Sequence, residues 1–393
     1  MRLGFHYHIP GYLKEGKIIT MSLQGLFVDS LAPLCKKVIV FFHSPRPDEV
    51  SLMDYEIKSM NVELVNMGVH SSVPLRLLNS RTIVRNIEER VNELDVLLIR
   101  APTPLLPIIT KAVKKRIKVS YLVVGEMLEH IDNLPQPKWR KFLIGLFARW
   151  NEGKQIRYAK EVLVFSNSAL IFEKYQKFAK RAVLIRTTTL SKSDFYIRED
   201  TCAGPEYNLL YTGRIERGKG LLEITIAVGM LNKENINCRL DIVGWAEPGD
   251  STPEAISAEA SKWDIVDKVI FHGKKKVGEE LFRFYRKADI FVLASQVVEG
   301  FPRTITEALA NSVPVISTNV GSIGFFHKNR HDIMFVEQKN ALDITEKVKE
   351  IIANGELRRS LIKNGLKTVA EVTLDVQAEK ICKELNIYQS NKF

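Results

Sequence analysis

An α/β fold with two parallel sheets is the architecture this chain predicts, and three observations predict it. Short apolar, β-branched runs alternate with helical patterns along the whole length, which is the signature of strands covered on both faces by helices. At 393 residues the chain is too long for one ordinary core, so two domains are expected. In the second half, two strand-to-helix loops carry glycines and charged residues where open α/β sheets bind their ligands. An apolar share of 45 % with 26 % charged residues fits a folded globular protein, not a disordered one.

In chain order, Met1-Arg-Leu-Gly-Phe-His-Tyr-His8 reads as a first strand, because no apolar stretch of signal-peptide type follows its charge. Further strands are expected at Val38–Phe42, Val96–Ile99, Val119–Val124 and Val162–Phe165, with helical patterns over Ile18–Leu31 and Leu105–Lys115 between them. The second half repeats the alternation with strands at Leu209–Tyr211, Arg239–Val243, Val269–Phe271, Ile290–Leu293 and Val315–Ser317. These patterns divide the chain into a first domain over 1–190 and a second over 205–372. A Thr/Ser/Asp/Gly/Pro-containing linker near 187–206 separates them, and a terminal helical segment over 373–393 carries Val376, Ile381 and Leu385.

The most informative stretch is Glu299-Gly-Phe-Pro-Arg-Thr-Ile-Thr-Glu307, which follows the buried-strand pattern Ala288–Ala294. Pro302 suits the first turn of a helix, where its missing N–H costs nothing. One carboxylate then lies in the loop and the other just over one turn into the helix. Between them, free N–H groups of the first turn make a seat for phosphate. Carboxylates on either flank can accept hydrogen bonds from sugar hydroxyls, so the pattern suits a nucleotide-sugar. Upstream, Leu209-Leu-Tyr-Thr-Gly213 leads into Arg214-Ile-Glu-Arg-Gly-Lys219-Gly220. The glycines permit a tight turn near an anion, and Arg214 with Lys219 brings positive charge to a departing diphosphate.

With these residues the chain resembles the retaining GT-B glycosyltransferases of the family-4 group, the glycosyl transferases group 1. Three features carry the resemblance: the Glu-x7-Glu spacing, the Gly213-Arg214…Lys219-Gly220 loop, and Pro314-Val-Ile-Ser-Thr-Asn-Val-Gly321-Ser-Ile323. It is strong over 205–372 and looser before. The resemblance implies two Rossmann-like parallel-sheet domains facing a central cleft, with the terminal helix packing back on the first domain. It implies a retaining hexosyltransferase that uses a UDP- or GDP-sugar as donor substrate and needs no cofactor and no metal ion. Glu299 would contact the transferred sugar, Glu307 the ribose, and Arg214 with Lys219 the diphosphate. Gly300, Phe301, Pro302, Thr304 and Ile305 would line the same donor seat. Gly244 and Lys274, beside Trp245 and His272, fall where the family holds the nucleotide base. On the acceptor side the sequence departs from the pattern. The strand Val119–Val124 ends in Gly125-Glu126 where many relatives place a histidine, which makes Glu126 a catalytic candidate and His130 a second one. Of the paired glycines after the first strand only Gly16 survives.

Charge separates the two halves: residues 1–195 hold 30 Lys and Arg against 18 Asp and Glu, and the rest 27 against 28. The basic excess in the first half suggests an anionic surface or acceptor. Lys138-Trp-Arg-Lys-Phe-Leu-Ile-Gly-Leu-Phe-Ala-Arg-Trp150 mixes aromatic and basic residues suited to an anionic membrane surface, and Lys114-Lys-Arg-Ile-Lys118 adds charge nearby. The competing expectation is a helix whose aromatics pack inward. The expected acceptor is lipid-linked or a growing glycan, and no nucleic acid is expected. Cys35, Cys202, Cys238 and Cys382 lack metal-ligand spacing and fit thiols of a reducing compartment. A cytoplasmic protein, peripheral on the cytoplasmic face of a membrane, follows as the expectation. A P-loop NTPase is disfavoured because Gly220 stands where a Ser or Thr must hold Mg²⁺. A nucleotide-sugar epimerase and a non-catalytic nucleotide-binding module of the same architecture are the remaining alternatives. The presence of all four charged donor residues argues against the module.

Overall fold

The computed structural model describes residues 1–125, 127–128, 131, 137–186 and 188–390. It divides into two compact units, one of Met1–Thr187 with Leu374–Phe393 and one of Thr188–Thr373.

Unit one contains β1 (Arg2–Lys14), β2 (Lys17–Thr20), α1 (Ser22–Leu31), β3 (Lys37–Ser44), β4 (Tyr55–Glu56), β5 (Val62–Val69), α2 (Val73–Leu78) and α3 (Ser80–Glu88). It continues with β6 (Val96–Ala101), α4 (Leu106–Val113), β7 (Lys118–Val123), α5 (Lys138–Ala159), β8 (Leu163–Ser166), α6 (Ala169–Gln176) and β9 (Arg181–Leu184). The parallel strands run β5-β3-β1-β6-β7-β8-β9. Alternate residues serve opposite faces of this sheet. Leu3, Phe5, Val38, Val40, Val96 and Leu98 join one core, while Ile39, Phe41, Leu97 and Ile99 join the other.

Unit two contains β10 (Tyr207–Arg214), α7 (Leu221–Lys233), β11 (Cys238–Trp245), α8 (Thr252–Lys262), β12 (Val269–Gly273), α9 (Glu279–Lys287) and β13 (Ile290–Leu293). Then follow α10 (Arg303–Ala310), β14 (Val315–Thr318), α11 (Ile323–Phe326), β15 (Met334–Val336), α12 (Ala341–Ala353) and α13 (Gly355–Ala370). Its six strands are all parallel, in the order β12-β11-β10-β13-β14-β15. The order reverses at β10, since β11 lies on one side and β13 on the other. In an open sheet of this kind the crevice beyond the carboxyl ends at that reversal is where ligands bind.

After unit two the chain returns to unit one as α14 (Leu374–Ser390). Its Ala378, Ile381, Cys382 and Leu385 are buried in the unit-one core. Tyr388 anchors the far end, donating from its hydroxyl toward the carbonyls of Val119 (3.1 Å) and Glu161 (3.2 Å).

Two expectations need correction. The pattern over Ile18–Leu31 is not one helix: Lys17–Thr20 is β2, antiparallel to the far half of β1, and the helix begins only at Ser22. Gly16 therefore sits in a hairpin turn beside Glu15 with φ of 79°, not in a strand-to-helix loop. The residues after Thr187 that read as a linker are fastened to unit two. Tyr196 N–H donates to Ala310 O at 2.9 Å, and Arg358 Nη2 donates to Asp200 at 3.0 Å. Arg198 donates to the carbonyls of Arg286 and Ala288, capping the carboxyl end of α9.

Candidate functional site

The reversal point of unit two is where its charged loops meet. β10 ends at Arg214, and a single 3-10 turn, Arg217–Lys219, leads to α7. The turn closes through Gly220, whose φ is 71° and whose missing Cβ would stand 2.0 Å from the Ala294 carbonyl oxygen. Only glycine allows that approach, which brings the Lys219 loop against the end of β13. The loop after β13 carries Glu299, and Lys219 Nζ lies 2.7 Å from Glu299 Oε1. Both side chains are about 15 % exposed, at 14 % and 15 %, so water screens the pair only partly. Glu216 joins them to Arg214, lying 3.7 Å from Lys219 Nζ and 3.6 Å from Arg214 Nη2. Arg214 itself stays half-exposed.

The β14–α11 loop holds the Glu299 backbone in place. Ser322 N–H donates to Glu299 O at 2.8 Å, and Gly321, at φ of 60°, leaves no room for a Cβ, which would fall 2.1 Å from that same oxygen. The expected Gly-rich loop thus fixes the residue that faces Lys219.

Pro302 stands immediately before α10, so the free N–H groups of that helix begin between the two glutamates. Gly300 is exposed, Phe301 and Thr304 are half-buried, and Ile305 is in the core. Phe301 packs edge-on against Phe326 with ring centroids 5.1 Å apart. Glu307 lies one turn further on and is 3 % exposed. Burial pushes its carboxyl up from its ordinary value, opposed by Arg303 and by hydrogen bonds from Tyr285 and Thr189. The Tyr285 hydroxyl lies 2.9 Å from Glu307 Oε2 and 2.6 Å from Thr212 Oγ1.

On the other side of β10, Gly244 is buried at the end of β11, next to the half-exposed Trp245. Lys274 follows β12 and places its Nζ 5.0 Å over the Trp245 ring, a cation–π contact at the edge of the same strand ends. His272 Nε2 lies 3.0 Å from Asp241 Oδ1 and is directed to that carboxylate.

Lys219 and Glu299 are in contact, Glu216 links them to Arg214, and Glu307 is on the helix that Glu299 precedes. Gly16 belongs to unit one. Glu126 and His130 lie outside the described residues. In unit one, a cavity of about 20 Å³ at the ends of β6 and β7 is lined by Gly125, Asn151 and Gln155 among others. Sequence reasoning missed Glu216, Thr212 and Tyr285. Glu216 is flanked by Arg214 and Lys219 and was legible as their counter-charge. Tyr285 was hidden because it falls on the apolar face of α9 with Leu281 and Phe282, where an aromatic reads as core.

Comparison with known proteins agrees with this geometry. Residues 194–368 match the family profile described as glycosyl transferases group 1. An uncharacterized glycosyltransferase of Methanocaldococcus jannaschii, MJ1178, is 37 % identical over 91 residues, covering 23 % of this chain and 26 % of that protein. The capsular polysaccharide biosynthesis glycosyltransferase CapM of Staphylococcus aureus is 29 % identical over 159 residues, covering 40 % of each chain. The chain thus spans well under half the length of these curated relatives. Among solved structures, Anabaena HepE in complex with UDP superposes with a TM-score of 0.72 over 98 % of this chain and all of that one, at 14 % identity. That likeness supports the GT-B fold class. The Lys219–Glu299 contact falls within the profile match, so it is unit two that is similar to the group 1 glycosyltransferases.

Proposed function

We propose that the protein is a retaining glycosyltransferase that moves a hexose-type sugar from a UDP- or GDP-sugar to a hydroxyl of a lipid-linked or glycan acceptor. One observation carries the proposal: Lys219 and Glu299 meet at 2.7 Å at the reversal of the unit-two sheet, beside the free N-terminus of α10. The contact holds both side chains in place. On donor binding, the diphosphate takes over Lys219 and a hexose hydroxyl takes over Glu299. Arg214 adds charge on the same side, and Glu307 receives the ribose. The Trp245–Lys274 edge offers a flat face and a cation for the base. Similar proteins support this reading. HepE is described in complex with UDP-glucose, and a Campylobacter jejuni relative acts on a diphospho-undecaprenol-linked sugar.

In the proposed reaction the bond from the sugar's anomeric carbon to the diphosphate oxygen breaks. The acceptor oxygen bonds that carbon on the same face, and its proton passes to the departing phosphate oxygen. The protein's share is positioning and stabilisation of the developing negative charge by Arg214, Lys219 and the α10 N–H groups. Because these cations take the charge, the reaction is proposed to need no metal, and activity should persist in EDTA.

The outer face of α5 supports a membrane-bound acceptor. Trp139, Phe142, Leu143, Leu146 and Trp150 are all exposed, between 47 % and 65 %, with Lys138, Arg140, Lys141 and Arg149 around them. Of the four aromatics, Phe147 is half-buried against Trp150, with ring centroids 5.9 Å apart, so the inward-packing expectation holds for it and the outward one for the other three. We assign this face to an anionic lipid surface. The nearby 114–118 patch contributes less than its charge count suggests, since Lys114 is paired with Glu161 at 2.8 Å. No helix among the described residues is long and apolar enough to cross a membrane.

The test is release of UDP or GDP from a panel of nucleotide-sugars with a polyprenyl-phosphate-linked acceptor. Lys219→Ala and Glu299→Ala should each lower kcat about 100-fold or more, the usual loss when one stabilising group of a developing charge is removed. Transfer by either variant at close to the wild-type rate overturns the assignment.

A further inference from the structure

Tyr285 is fully buried, yet its hydroxyl does more than fill core space. It lies 2.9 Å from Glu307 Oε2, 2.6 Å from Thr212 Oγ1 and 3.4 Å from the Thr304 carbonyl. Those contacts tie together three parts of the candidate site. Thr212 is on β10 two residues before Arg214, Thr304 is in the first turn of α10, and Glu307 is in the second. Helix α9, which carries Tyr285, supplies no other hydrogen bond to Glu307 among the described residues.

The direction of the chain follows from a count of protons. An ionised carboxylate only accepts, and a phenol has one proton to give. With Glu307 ionised, the Tyr285 proton goes to Glu307 at 2.9 Å in preference to the Thr304 carbonyl at 3.4 Å. Thr212 must then donate to the Tyr285 oxygen. The order is Thr212 to Tyr285 to Glu307, and it commits Oε2 to the protein. Thr189 is a second side chain at the same carboxylate, so a ligand's hydroxyls must be received at Oε1 beside it, and the phenol sets the plane in which that oxygen is presented.

We propose that Tyr285, relayed from Thr212, is the positioning residue that turns the Glu307 carboxylate toward the donor's ribose and so makes the site prefer ribonucleotides over 2′-deoxyribonucleotides. The inference rests on the reading of Glu307 as the ribose acceptor. Tyr285 touches neither donor nor reacting atoms; it acts through Glu307. Without its hydroxyl, Oε2 is a buried acceptor in need of a donor, and the carboxylate rotates to find one.

The experiment measures, by titration calorimetry on the full chain, binding of UDP and GDP beside their 2′-deoxy counterparts. The wild-type protein should favour the ribonucleotide of whichever pair it binds. Tyr285→Phe should reduce that preference about fivefold, the worth of one well-made hydrogen bond. Most of the loss should fall on the ribonucleotide, and donor KM should rise more than kcat falls. Thr212→Val should move the preference in the same direction by less, because Tyr285 can still donate. A structural role alone would lower thermal stability and weaken both nucleotides equally. That result, or a Tyr285→Phe protein with the wild-type preference, overturns the inference while leaving the donor site intact. A wild-type protein that binds the nucleotide without any ribose preference removes the Glu307 reading, and this inference with it.

Discussion

Unit one and unit two treat some of their buried polar groups differently. In unit two, nitrogen bases face carboxylates: Lys219 faces Glu299, His272 faces Asp241, and His327 Nδ1 lies 2.8 Å from Asp332 Oδ2 with both side chains 2 % exposed. In unit one, imidazoles and a guanidinium are buried close together, and one carboxylate adjoins them. His6 and His43 are fully buried, Arg76 is 7 % exposed, and His6 has no hydrogen-bond partner at either ring nitrogen among the described residues. The carboxylate in that neighbourhood, Glu49, is taken by His70 Nδ1 at 2.6 Å and by Arg46. The difference teaches where each unit's stability is pH-sensitive. A carboxylate held by a hydrogen-bond donor keeps its contribution until it is protonated, whereas a buried neutral imidazole loses its contribution as soon as an unfolded one can take a proton.

The largest expected effect comes from that imidazole cluster. Burial, with the neighbouring positive groups, pushes His6 down to about 3, and burial with Arg76 pushes His43 down to about 4. His8 is also held well below its ordinary value, mainly by burial. The groups facing this cluster are Arg76, His70 and Glu49. The folded-state values lie below the unfolded value of 6.5, so their contribution is complete above pH 6.5 and lost as pH falls toward 4. Hydrogen exchange, corrected for its intrinsic pH dependence, should show unit one opening between pH 6.5 and 5 while unit two stays protected. Unit two opening first would break the comparison.

Next in size is Asp332→Ala. Burial raises the Asp332 carboxyl, but the His327 hydrogen bond and charge and the Lys328 N–H outweigh it, leaving the group below its ordinary value. Its contribution is therefore present above the ordinary carboxylate range and lost only as pH falls through the lower folded value. Removing one partner of such a buried pair costs about 3 kcal/mol. In urea at pH 7 the unfolding of unit two should shift by that amount and unit one should not move. A shift below about 1 kcal/mol would show that the pair is screened and that the contrast between units is overstated.

The same contrast explains what the sequence revealed. Arg214 was legible because it ends a strand, and Lys219 and Glu299 because they follow one within a few residues, so spacing along the chain becomes position at one sheet edge. The alternating parallel strands were legible for the same local reason. Gly16 was misplaced because β1 runs on for 13 residues and folds back as a hairpin, so the first strand-to-helix turn comes later than the glycine suggests. Ile18 was assigned to the helix since a period of 3.6 extends backward over a short strand without contradiction. Tyr285 was invisible because a polar atom on an aromatic ring leaves no mark on hydrophobic periodicity. For α5, periodicity shows which residues share a face but not which face looks inward, since that depends on a partner far away in sequence.

The smallest stability effect belongs to α5, and it tests the comparison most sharply because binding should change where folding does not. At 100° per residue, Trp139, Phe142, Leu143, Leu146 and Trp150 share one stripe about 100° wide. The opposite side holds the buried Ala148, Asn151, Gln155 and Ala159. That small and polar side moors the helix: Asn151 Nδ2 donates to Pro104 O at 3.0 Å, and Gln155 Nε2 donates to Tyr175 Oη at 2.6 Å. Folding therefore makes no use of the aromatics, and replacing Trp139, Phe142 and Trp150 with Ser should move unit-one stability by no more than about 0.5 kcal/mol. Vesicle binding is a different matter. Burying one large apolar side chain contributes about 1.5–3 kcal/mol, so losing three should lower partitioning onto phosphatidylglycerol vesicles far more than tenfold. Phosphatidylcholine vesicles should bind the wild type weakly, and added salt should weaken its binding to the anionic ones, because each basic residue near the surface adds about 1 kcal/mol of screened attraction. A triple variant that unfolds, or one that partitions like the wild type, would mean that the outward stripe packs against protein and not lipid.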